Sequence, residues 1–89
     1  MLNEIKNKIK IELPEAEVYV FDPYQDGEHL EAIVVDASFD SIPLIKQHQV
    51  VMNALKKDFA TSLHALKLKT FGFKKWVDEK HGYEHLIKE

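Results

Sequence analysis

Cysteine is absent from the chain. That excludes disulfides, thiol nucleophiles, zinc sites built on thiolates, and any iron–sulfur cluster held by the chain's own sulfur atoms. Glycine is scarce, occurring only at Gly27, Gly72 and Gly82. Neither GxxxxGK[ST] nor GxGxxG can be written, so a phosphate-cradling loop is excluded. Long apolar runs are missing too, and nothing approaches the roughly 20 residues a membrane-spanning helix requires. The opening MLNEIKNKIKIELPEAE alternates charged and apolar residues. It lacks the apolar segment and small-residue cleavage site of a secretory leader, so a cytoplasmic protein without membrane contact is expected. An excess of positive charge is also lacking. Twelve Lys and Arg stand against 15 Asp and Glu, a formal net charge of −3. This balance counts against sequence-independent nucleic-acid binding, although it leaves room for a local basic patch.

What the chain does have is 89 residues, 45% of them hydrophobic and 30% charged. That is the composition of one globular domain, residues 1–89, with a single modest core. Leu2, Ile5, Ile9 and Leu13 recur at helical spacing, and Pro14 closes that helix. Glu17 to Phe21 is β-branched and aromatic and reads as a strand. The stretch DPYQDGEH, residues 22–29, is a loop built on Pro23, Asp26 and Gly27. Leu30 to Val35 is a second strand, with Leu30, Ala32 and Val34 on one face and Glu31, Ile33 and Val35 on the other. Ser41 reads as an N-cap and Pro43 as a first-turn residue of a long helix reaching about Phe59. Its apolar stripe reads as Leu44, His48, Val51, Met52, Leu55 and Phe59.

Leu63 to Thr70 alternates as a third strand, with His64, Leu66, Leu68 and Thr70 on one face and Ala65, Lys67 and Lys69 on the other. Phe73, Trp76, Val77 and Lys80 suggest a last short helix stopped by Gly82. The expected fold is therefore α+β: a two-layer α-β-β-α-β-α arrangement on a three-stranded mixed sheet, with a right-handed crossover between strands two and three. The face carrying Glu31, Lys67 and Lys69 should be partly wet. No catalytic constellation emerges. Ser38, Ser41 and Ser62 lack a GxSxG context and no HExxH occurs. Glu28 and His29, adjacent on a strand, would point to opposite faces. A non-enzyme is expected.

Residues 29–76 carry a joint pattern. Phe39, His48, Val50, Leu55, His64, Ala65, Leu66, Thr70 and Trp76 combine a QHQVV helix with HALKLKT and a Trp six residues beyond it. In these features the chain resembles the BolA family, nearest to its IbaG-like branch, where a DG-x-H-[FL] loop precedes the second strand. The motif core spans 16–80, leaving 81–89 as a fraying tail. Three positions depart from the family pattern. Ser41 stands where a glycine is usual, Gln47 where an arginine is usual, and Gly72-Phe73 where Thr-Pro usually opens the last helix. The first two remove a flexible residue and a charge from the surface suggested for nucleic-acid contact. The third is expected to touch only how the last helix begins.

The resemblance implies a type II KH-like fold without catalytic activity. It also implies a monothiol glutaredoxin as partner, with a [2Fe-2S] cluster shared between the two proteins. The cluster would exist only in that complex with glutathione, the isolated protein having no cofactor and being a monomer or weak homodimer. The roles implied are iron–sulfur trafficking or iron and stress regulation, and, as an alternative, transcription regulation through DNA. His64 takes the place of the family's ligand histidine, and neutral imidazole can replace thiolate on ferric iron. The loop before strand two supplies the second ligand, either His29 or Asp26, imidazole being the better match. Alternatively, His29 only begins the strand and Asp26-Gly27 is only a turn.

His48 reads as a packed helix residue bonded to the loop before the helix. His81 and His85, four apart, could share a helical face, but Gly82 between them favours a solvated tail. Lys67, Lys69, Lys74 and Lys75, interleaved with Phe71, Phe73 and Trp76, are the candidate nucleic-acid contacts. The GXXG loop that a KH module uses to clamp nucleic acid is missing. Phe73 and Trp76 read rather as core or interface anchors.

Overall fold

The computed structural model describes residues 2–56 and 65–87. Helix α1 is Leu2–Glu12, and it buries Ile5 and Ile9 as the spacing requires. The Leu13 amide still bonds back to the Ile9 carbonyl, and a turn through Pro14 and Glu15 then leads into β1, Glu17–Phe21. Strand β2 is His29–Val35 and strand β3 is Ala65–Phe71. The sheet order is β1-β2-β3, with β1 antiparallel and β3 parallel to β2. This is the expected mixed sheet, although β2 begins one residue earlier than the apolar alternation suggests. Helix α2 is Leu44–Ala54, helix α3 is Phe73–Glu79, and the short α4 is Glu84–Ile87. Single 3₁₀ segments occupy Ala37–Ser41 and Lys80–Tyr83.

One sheet face carries the main core. Val18, Leu30 and Val34 meet Ile5 and Ile9 of α1 and Val51 and Leu55 on the α2 side, with Phe39 filling the end. The opposite face is wet where Glu31, Lys67 and Lys69 emerge, as expected. At its other end α3 lies over it, and Ile33, Val35, Phe71 and Trp76 form a second buried cluster joined by Tyr19, Phe21 and Tyr83. Trp76 is thus the core anchor anticipated for it, whereas Phe73 is largely exposed.

Helix α2 is rotated relative to the stripe read from the sequence. Its buried residues are Gln47 and Val51, with Leu55 just beyond, while Leu44 and Met52 are exposed. Gln47 is therefore no surface residue. Its Nε2 donates to the carbonyls of Phe39 and Ile42, both at 3.0 Å, and its Oε1 accepts from the Thr70 hydroxyl at 2.7 Å. The bond to the preceding loop expected of His48 is made by its neighbour. His48 itself is half-buried.

Ser41 is not the N-cap of α2. Pro43 occupies that position, and Ser41 instead ends the 3₁₀ segment, donating to the Ser38 carbonyl. The side-chain cap in this region is Asp36, which accepts from the Ser38 amide and hydroxyl. Helix α2 ends at Ala54 with Leu55 as its C-cap, short of the expected Phe59, because the backbone leaves helical geometry at Leu55. Phe59 and the expected start of the third strand at Leu63 lie outside the described residues. Gly72 does more than begin a helix. A β-carbon there would stand 2.7 Å from the Asp40 nitrogen and overlap the Asp40 carboxylate.

Candidate functional site

The loop between β1 and β2 is organised by two aspartates. The Asp22 backbone carbonyl accepts from the Gln25 amide, and its carboxylate accepts from the amides of Asp26 (3.2 Å) and Gly27 (3.0 Å). Short Asx side chains favour such local closure. Two residues in the loop have positive φ, Gln25 at 54° and Gly27 at 70°. Glycine meets that requirement at Gly27 without steric cost.

This folding aims Asp26 at the start of β2. Its Oδ1 accepts from the amides of Glu28 (2.9 Å) and His29 (3.0 Å), and its Oδ2 lies 2.9 Å from His29 Nδ1. The two residues read from the sequence as alternatives are thus one unit. An ionised carboxylate can only accept, so the ring hydrogen sits on Nδ1 and a neutral His29 keeps its lone pair on Nε2. The His29 side chain is 59% exposed, with the Tyr24 ring edge-on to it at 6.1 Å. Pro23, Tyr24, His29, Leu30, Glu31 and Lys67 line a shallow depression of about 190 Å³.

The hydrogen bond to the His29 ring, followed by those from the Glu28 and His29 amides, holds the Asp26 carboxyl far below the usual carboxylate range. The same side-chain bond, then the carboxylate charge, raises His29 above the ordinary imidazole value. The signs define a window. The Asp26 contribution is complete above its unfolded-state pKa and is lost as pH falls through the depressed folded value. The His29 contribution is complete below the unfolded pKa, near 6.5, and is lost as pH rises through the raised value. The ion pair therefore acts fully only in mildly acidic solution. Titration by NMR should show His29 deprotonating above the ordinary value in the intact protein. In Asp26→Asn it should fall back toward about 6.5; an unchanged midpoint would mean that the pair does not form in solution.

The other sequence candidates separate in space or in kind. His64 lies outside the described residues. It immediately precedes Ala65 in the chain, and Ala65 is the register partner of His29 across the parallel β2–β3 pair. The Nδ1 of exposed His81 bonds Glu84 Oε2 at 3.1 Å, and His85 is exposed. Lys67 and Lys69 stand on the partly wet sheet face, and Lys74 and Lys75 are exposed on α3. Among the described residues no three His, Asp or Glu side chains converge as a metal site, and no helix is long and apolar enough to cross a membrane. Asp22 was missed by sequence reasoning, although an Asx residue opening a loop that ends in Asp-Gly is its signal.

The architecture defines a small α+β protein whose three-stranded mixed sheet presents a carboxylate-oriented histidine at one end. Residues 5–74 match the family model described as BolA-like protein. An uncharacterised protein of Rickettsia prowazekii, RP812, is 31% identical over 67 residues, covering 75% of this chain and 87% of that one. Among solved structures, a BolA protein homologue from Coxiella burnetii is 31% identical with a TM-score of 0.72, covering 86% of this chain and 96% of the other. BolA1 from Arabidopsis thaliana shares the fold, with a TM-score of 0.74 at 24% identity over 83% of this chain and 93% of its own. The chain belongs to the BolA family.

Proposed function

We propose that this protein is a non-catalytic partner of a monothiol glutaredoxin and contributes histidine ligands to a shared [2Fe-2S] cluster. The observation that carries the reading is the His29–Asp26 pair. Histidines that bind metals typically have their other ring nitrogen fixed by a carboxylate or carbonyl, and His29 has that arrangement at 2.9 Å with its ring exposed. Asp26 is engaged at both oxygens and suits the orienting role better than the ligand role. His64 is the proposed second ligand. Its chain neighbour Ala65 is paired in register with His29, which supports a joint contribution from the adjacent starts of two parallel strands. Because the chain has no cysteine, thiolates would come from the glutaredoxin and from glutathione. Histidine ligation of a bound cluster raises its reduction potential relative to all-thiolate ligation. Trafficking of clusters, or sensing of iron or stress in the cytoplasm, is the role this chemistry suits.

The test is addition of the protein to cluster-loaded monothiol glutaredoxin, followed by visible absorption, visible circular dichroism and gel filtration. A new spectrum and a heterodimer are expected. His29→Ala and His64→Ala should each remove the new spectral features while leaving the far-ultraviolet spectrum and thermal midpoint of the free protein essentially unchanged. An unaltered spectrum with no complex would overturn the proposal. Loss of the signal in Asp26→Ala but not in His29→Ala would transfer the loop ligand to Asp26.

A further inference from the structure

Strand β3 is an edge of the sheet, and no strand among the described residues pairs with its outer side. The Asp36 amide bonds the Phe71 carbonyl from the β2 side. Strand backbone groups alternate in direction, so the amides and carbonyls of half-buried Leu66 and Leu68 point to the outer edge. Thr70 has the same direction but is buried, its hydroxyl bonded to Gln47 of α2, and closes the end of that edge. A groove of about 320 Å³ runs along it, with Leu44 and His48 of α2 on one wall and Lys75, Glu79 and Tyr83 on the other. Lys69 is held at this side, its ammonium 5.8 Å from the Tyr83 ring centre.

Two lysines, Lys69 and Lys75, line the groove against one carboxylate, Glu79. Residues 65–77 contain Lys67, Lys69, Lys74 and Lys75 and no acidic residue, in a chain of net charge −3. We infer that the outer edge of β3 is a docking site for an extended acidic segment of a partner protein, added to the sheet as a fourth strand. Strand addition draws affinity from main-chain hydrogen bonds and specificity from alternate side chains. The lysines attract carboxylates on one face of such a strand, and exposed Leu44 receives an apolar side chain on the other. A second copy of this chain is disfavoured, because β3 against β3 would set lysine against lysine. Nucleic acid is a poorer match, because a phosphodiester backbone offers acceptors only, whereas the edge presents donors and acceptors alternately. The inference does not depend on the cluster reading, and its test contains no iron.

The probe is a short capped peptide alternating glutamate and valine, titrated into ¹⁵N-labelled protein. Saturable shifts and slowed hydrogen exchange are expected at the amides of Leu66 and Leu68. Methylating alternate peptide nitrogens should weaken binding about tenfold or more, as should the Lys69→Glu/Lys75→Glu double variant. Lys75→Glu alone, at an exposed position, should weaken it in the same direction without disturbing the fold. The inference is overturned by no binding up to about 1 mM, by indifference to nitrogen methylation, or by equal binding of a lysine–valine peptide. Tighter binding of a single-stranded oligonucleotide of matched charge also overturns it and would make this face a nucleic-acid surface.

Discussion

Replacing Gly72 with alanine should cost on the order of 3 kcal/mol, near the upper end for overpacking a filled site. The reason is space and not conformation, because Gly72 has φ −76° and ψ 168°, open to any residue. A Cβ would lie 2.7 Å and 2.8 Å from the nitrogen and α-carbon of Asp40, and would overlap its carboxylate. Backbone cannot swing aside as a side-chain end can. The 3₁₀ segment and α3 would have to separate, stretching the 3.1 Å bond from the Lys74 amide to Asp40 Oδ1 and disturbing the Trp76 contact below it. The stabilisation that alanine normally brings by restricting the unfolded chain, about 0.4–1 kcal/mol, is too small to compensate. For a domain of this size the melting temperature should fall by roughly 12 °C or more. Removing the carboxylate as well, in Gly72→Ala/Asp40→Ala, should not restore stability, because the backbone contacts remain. A Gly72→Ala protein within about 1 kcal/mol of the parent in urea unfolding would refute the packing described.

Gln47→Ala should be of similar size, about 3 kcal/mol. The substitution removes the side-chain partner of the Ile42 carbonyl and the Thr70 hydroxyl, leaves the Phe39 carbonyl with the 3.4 Å bond from the Ile42 amide, and takes side-chain volume from a buried position. An unsatisfied buried polar group costs about 1–3 kcal/mol, more than the net gain from a made hydrogen bond. Thr70→Val breaks only the 2.7 Å bond and should cost about 1–2 kcal/mol. The two substitutions should couple in a double-mutant cycle, since they remove the same bond. Gln49→Ala, on the exposed side of the same helix, should stay within about 0.5 kcal/mol of the parent. Equal melting of Gln47→Ala and Gln49→Ala would show that the three-way bond contributes nothing.

These two residues also mark where sequence reasoning stopped. Helix α1 and strand β1 were legible in full because their apolar residues keep one period and stop at Pro14 and at the Pro23 loop. Helix α2 was legible as a helix but not in its orientation. Leu44, Met52 and Val51 form a convincing stripe, whereas the helix actually turns Gln47 inward, and hydropathy has no means of marking a glutamine that is satisfied by carbonyls of the preceding loop and a hydroxyl of β3. In the sequence Gly72 marks only the beginning of the next helix, while its role lies in a volume filled by Asp40, 32 residues away in the chain. At the candidate site, the sequence marks both Asp26 and His29, yet as competitors. Their three-residue spacing only becomes a hydrogen bond once Asp22 has closed the loop. The placement of His64 rests on the family pattern and on its position beside Ala65.

The separation of the two buried clusters by the sheet has an optical consequence. Trp76 is the only tryptophan, and it is stacked near Tyr19 at 6.2 Å and Tyr83 at 5.9 Å, with Phe71 at 5.1 Å. Rings this close exchange excitation energy and couple their transitions, so near-ultraviolet dichroism and fluorescence of the protein originate chiefly from the α3 side of the sheet. The aliphatic core beneath α1 and α2 is almost dark by comparison. Iron–sulfur chromophores also absorb in the visible, where Trp, Tyr and Phe do not. One sample can therefore show, at two colours, whether the last helix is seated and whether a cluster has been taken up.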